Sequence, residues 1–113
     1  MPKFILTYHQ PIAYVPAFDE KTAAAWGSFF DAMGGSIVEP GQPVVDRAAI
    51  GETGSSTKLG GYSVVEADDL DAALAIAKGC PTLTYGGGVQ VGVLAELPPD
   101  HPASRLRQRA AQA

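Results

Sequence analysis

Two acidic helix starts, each preceded by a run of strand composition and each closed by glycine, constrain this chain more than any other feature. Lys3 to His9 is rich in aromatic and β-branched residues and stops at Gln10-Pro11, which reads as strand one. Pro11 to Phe18 has prolines at both 11 and 16 and no period, so it reads as a loop. At Asp19-Glu20 the carboxylates suit the positive end of a helix dipole. Ala23, Trp26, Phe30 and Met33 then fall on one helical stripe, with Phe29 beside it, and Gly34-Gly35 ends the helix. The second unit repeats the plan. Leu59 to Glu66 has the composition of a strand, and Asp68-Asp69-Leu70-Asp71 opens a helix with Asp68 as its N-cap. Leu70, Ala73, Leu74 and Ala77 form the stripe expected to be buried, and Gly79 with Cys80-Pro81 stops it.

Between the two units, Ser36 to Glu39, the turn Pro40-Gly41-Gln42-Pro43 and Val44 to Ile50 read as an irregular second strand broken by that turn. Gly51 to Lys58 is polar and glycine-containing, an exposed loop. Gly60-Gly61 weakens the third strand unless a bulge or a close neighbour requires glycine there. Val89, Val91 and Val93 alternate with Gln90, Gly92 and Leu94 in a fourth strand. The order is βαββαβ, an α+β ferredoxin-like fold with a four-stranded antiparallel sheet over residues 1–97, followed by a tail at 98–113 in which a short helix begins near Ala103. Helices cover one face of such a sheet. Strands one, three and four carry apolar side chains at both parities, so the other face also needs a cover, and a second copy of the chain is the simplest one.

A chain of 113 residues with 46% apolar content builds one core without staples, burying roughly two-thirds of its unfolded surface. Cys80 is the sole cysteine, which rules out an intrachain disulfide and suits a reducing, cytoplasmic setting. The start at Met1 to Leu6 lacks a signal-peptide core, and no apolar stretch approaches the roughly 18 residues of a membrane span. A net charge of −4 argues against nucleic acid as a partner, and Arg105, Arg107 and Arg109 read as a solubilising tail.

The segment Thr57-Lys58-Leu59-Gly60-Gly61-Tyr62, followed by Asp68-Asp69-Leu70-Asp71-Ala72-Ala73, Ala77 and Cys80-Pro81, resembles the YCII-related family in its DGPF-domain branch. The resemblance implies a dimeric α+β barrel, two ferredoxin-like sheets packed face to face. The branch's Asp-Gly-Pro-Phe signature is absent, with Gly51 to Ser56 in its place, and Gln90 and Gly92 stand where the branch carries a Glu and an Arg near the end of strand four. Most of this family has no assigned reaction. Members of the branch often occur beside extracytoplasmic-function sigma factors, which implies an interaction or regulatory module as the alternative to a ligand-binding protein.

Candidate chemistry centres on His9, at the end of strand one, since histidine is the side chain most often used for acid–base work near neutral pH. The simpler reading is a strand-end residue bonded to its surroundings. Asp68 is the matching candidate base, on the implied closeness of strand one to the start of helix two; a plain cap explains it with less. Trp26, Phe30 and Tyr62 are the candidate substrate-binding residues of an apolar pocket, against the alternative of core packing. His9, His101 and Cys80 do not fall at metal-ligand spacing, and Tyr85-Gly86-Gly87-Gly88 precedes a strand and not a helix, so neither a metal nor a phosphate-bearing cofactor is expected. The expected activity is small-molecule binding in a cleft of a homodimer, with cofactor-free proton transfer, isomerase- or lyase-like, as its catalytic form. A vestigial cleft is the third reading.

Overall fold

A computed structural model describes residues 1–54 and 56–106. In chain order the elements are β1 (Lys3–Pro11), α1 (Glu20–Met33), β2 (Ile37–Glu39), β3 (Thr57–Glu66), α2 (Leu70–Ala77) and β4 (Gly88–Leu94). Single-turn helices follow α1 at Gly34–Ser36 and α2 at Pro81–Tyr85. The strands form one open sheet in the order β2-β3-β1-β4, antiparallel at every junction. This is the α+β ferredoxin-like arrangement that the order of elements implies.

Pleating sorts β1 into two faces. Phe4, Leu6, Tyr8 and Gln10 are buried, and the residues between them are not. Register places Val65, Ser63 and Gly61 of β3 beside Phe4, Leu6 and Tyr8, so this face receives the helices. Phe29 and Met33 of α1 and Ala73 and Ala77 of α2 close the core over it. The opposite face carries the cross-strand pairs Lys3–Glu66, Ile5–Val64 and Thr7–Tyr62.

Four sequence expectations change. Val44 to Ile50 does not form a strand: the pairing beyond Glu39 is reduced to a bridge between Pro43 and Gly61 and a bond from the Val44 N–H to the Gly60 carbonyl. Pro40 and Pro43 lack the N–H donors a continuous ladder needs, and the chain then leaves the sheet. The N-cap of α2 is Asp69, not Asp68. The Ala67 N–H still pairs with the Pro2 carbonyl, which leaves Asp68 in the connection, and Asp69 accepts from the Ala72 N–H at 2.8 Å. Leu70 and Leu74 remain 43% and 41% exposed because α2 lies on the sheet through its alanines, whose short side chains permit close approach. Finally, β1 runs on to Pro11, past His9.

The Gly60-Gly61 pair has its reason in the third strand. The β1–β3 register shifts between Tyr8 and His9, and a Cβ at Gly60 would lie 2.6 Å from the Gln10 carboxamide carbon. Residues 102–106 are helical, and the Ala103 N–H is accepted by His101 Nδ1. Arg107 and Arg109 of the tail lie outside the described residues. None of the described helices is long and apolar enough to cross a membrane.

Candidate functional site

A cavity of about 330 Å³ opens between the helix-bearing face of the sheet and the first turns of α1. Its floor is Tyr8 and Gln10 of β1 with Gly60, Gly61 and Tyr62 of β3. Thr22, Ala23, Trp26 and Phe30 of α1 form one wall, residues 40–45 the other, and residues 14 and 16–19 with Tyr85 the rim. The volume lies within the range of pockets that hold small molecules.

Local chemistry explains this shape. Asp19 is in extended conformation just before α1 and its Oδ1 accepts from the Thr22 N–H at 2.8 Å, so the helix begins at the rim. The bonds from the Thr22 backbone N–H and hydroxyl hold the Asp19 carboxyl below its ordinary range. Trp26 then meets Tyr8 edge to face, with centroids 4.9 Å apart and planes at 70°, and packs against Phe29 and Phe30. At the rim Tyr14 and Tyr85 stack 4.4 Å apart at 7°. Burial, and then the neighbouring Tyr85, raises the Tyr14 phenol above its usual value.

The far wall is held by a chain of hydrogen bonds. The Tyr8 hydroxyl donates to Ser63 Oγ at 2.7 Å, and Ser63 donates in turn to the Pro40 carbonyl at 2.7 Å. This pins the segment after β2 against β3. Burial pushes the Tyr8 phenol up to about 12, so it stays protonated across the physiological range. Gly41 closes the corner: its φ is +77°, and a Cβ there would stand 1.8 Å from the Tyr62 carbonyl oxygen.

Trp26, Phe30 and Tyr62 all border this cavity, Tyr62 from the strand floor, although its pairing with Thr7 assigns its side chain to the opposite face of the sheet. Tyr62 also donates its hydroxyl to Glu39 Oε1 at 3.1 Å, which raises its own pKa. His9 does not border it. The imidazole lies on the opposite face of the sheet, where its Nε2 and the Thr7 hydroxyl share a hydrogen bond of 2.8 Å. Asp68 is farther still. It follows Glu66, the partner of Lys3 at the other end of β1, so roughly 20 Å of strand separates its neighbourhood from His9 at about 3.3 Å per residue. Within one chain the two candidate catalytic groups are not brought together.

Sequence reasoning missed Gln10, Tyr14 and Tyr85 as cavity residues. The Gly60-Gly61 pair was the available signal for Gln10, since glycine in a strand marks a close approach. Tyr14 and Tyr85 come from a loop and a turn that only the fold juxtaposes. Cys80 is buried, and burial raises its thiol pKa, which suits packing better than nucleophilic chemistry. Among the described residues no group of three His, Cys, Asp or Glu side chains is placed to hold a metal ion.

The model of the YCII-related domain matches residues 4–96. The chain belongs to the YCII-related family. That match takes in all four strands, α1 and α2, and therefore nearly every residue that forms the cavity. Comparison of this YCII-related chain with curated proteins gives no match.

Proposed function

We propose that this YCII-related protein binds an apolar small molecule in the cavity beneath α1. The observation that carries the reading is the cavity itself: about 330 Å³, walled by Tyr8, Trp26, Phe30 and the segment 40–45, and floored by two glycines that let the wall approach the sheet. Apolar walls with few polar groups are the usual make-up of a small-molecule site. Proton-transfer catalysis on His9 and Asp68 draws no support from this geometry, because neither residue reaches the cavity, so binding is the reading we favour.

Two copies pairing through the open sheet face complete the proposal. Family membership supports it, as do Ile5, Val64 and Leu94 on the face that neither α1 nor α2 covers. Light scattering on the purified protein tests the assembly, with a dimer expected for the wild type and a monomer for Ile5→Lys.

Binding is tested with N-phenyl-1-naphthylamine, an uncharged dye that brightens in apolar surroundings. Saturable brightening is expected, together with a change in the emission of Trp26, the sole tryptophan. Ala23→Trp, which places an indole in the cavity from an exposed helix position, should abolish both while leaving the circular dichroism unchanged. Dye binding that survives this substitution, or no saturable binding at all, overturns the proposal.

A further inference from the structure

Among the described residues that border the cavity, Gln10 is the one with a fully buried side-chain polar atom left without a partner. Gln10 is only 7% exposed, borders the cavity, and its Oε1 has no hydrogen-bond partner among the described residues. A buried acceptor without a partner is costly, and native structures rarely tolerate one without a reason. Gly60 lies directly against this carboxamide, and any side chain there would strike it, 2.6 Å from Cδ and 2.9 Å from Nε2. The glycine therefore makes room for the amide group.

Charge narrows the choice of ligand. Among the described residues no lysine, arginine or histidine borders the cavity, and the one carboxylate that does, Asp19, is engaged by Thr22. Lys58 of β3, the cross-strand partner of Gln10, has its ammonium on the Tyr14 carbonyl at 2.6 Å. An anion entering this space would lose its hydration and meet the Asp19 carboxylate at the rim, while the Lys58 ammonium is held by the Tyr14 carbonyl and does not line the space. The carboxamide offers two donors and an acceptor, and a hydroxyl group can answer either end, accepting from Nε2 or donating to Oε1 once the amide turns that enclosed oxygen toward the cavity.

We infer that the ligand of this cavity is an uncharged ring compound carrying a hydroxyl group, and that the Gln10 carboxamide is the specificity-determining contact. The inference rests on the binding role proposed above and adds the chemical class. Three probes of matched size separate the two: 2-naphthol, 2-methylnaphthalene and 2-naphthoate, titrated calorimetrically at neutral pH. The naphthol should bind about tenfold more tightly than the methyl compound, the gain expected from answering one buried polar group, and the carboxylate should bind most weakly. Gln10→Met, of similar length, should bring naphthol and methylnaphthalene level. Gly60→Ala, which forces the carboxamide aside without removing it, should do the same and guards against a folding defect in the first variant. If all three probes fail to bind the wild type, the binding role itself falls. If methylnaphthalene or naphthoate binds as tightly as naphthol, or the naphthol preference persists in either folded variant, the role of Gln10 is overturned and the cavity reading stands.

Discussion

Removing the hydroxyl of Tyr8 and removing that of Ser63 should have unequal costs, although the two share one hydrogen bond. In Tyr8→Phe the Ser63 hydroxyl keeps its bond to the Pro40 carbonyl and loses only a donor, worth about 1 kcal/mol. In Ser63→Ala the Tyr8 hydroxyl is stranded in the buried core and the part-buried Pro40 carbonyl loses its donor, a loss of about 2–3 kcal/mol. The double variant removes the stranded phenol as well, and should cost no more than Ser63→Ala alone. Urea denaturation at pH 8, with unchanged slope, measures all three. Alkaline pH adds an independent check. Burial holds the folded Tyr8 near 12 against an ordinary 10.0, so its contribution is complete below pH 10 and is lost as the pH rises toward 12. Relative to Tyr8→Phe, the wild type should lose about 2.7 kcal/mol across that window, at 1.36 kcal/mol per unit, and the two stabilities should cross near pH ~11. Additive single-variant costs, or parallel pH profiles for wild type and Tyr8→Phe, would refute the reasoning.

Asp69→Ala should lower stability by about 1 kcal/mol through loss of the α2 cap, whereas Asp68→Ala should stay within about 0.5 kcal/mol of wild type, both by thermal unfolding. Gly41→Ala should cost more than about 2 kcal/mol in urea, because a positive φ and a Cβ driven into the Tyr62 carbonyl add together. The stabilising effect of Asp19 on α1 is present above the ordinary carboxylate pKa and is lost as acid protonates it. Helical circular dichroism should therefore decline as the pH is taken below the ordinary carboxylate range, and Asp19→Asn should flatten that acid limb.

Much of the fold could be read because its signals are local. Asp19 with Gly34, and the Asp68-Asp69 pair with Gly79, mark helix ends through the hydrogen-bonding needs of a few adjacent residues. Valine alternation marks β4 in the same way. Errors arose where two local solutions were equivalent or where a distant partner decided. Asp68 and Asp69 are equally good caps in isolation, and only the Ala67–Pro2 bond, which prolongs the strand pairing by a residue, selects Asp69. Val44 to Ile50 has strand composition, but Pro40 and Pro43 break the pairing that would use it.

The candidate site divides along the same line. Trp26 and Phe30 could be singled out from helical spacing, yet spacing does not tell a wall of a cavity from a packed core. His9 and Asp68 carry suitable chemistry, but strand parity turns one to the open face, and the antiparallel register sends the other to the far end of β1. Order of elements, helix starts and family features were determined by the sequence alone, since each depends on neighbours along the chain. The cavity, the unanswered Gln10 carboxamide and the room that Gly60 leaves for it were decided only by the tertiary structure, because they depend on which residues from separate strands and loops are brought face to face.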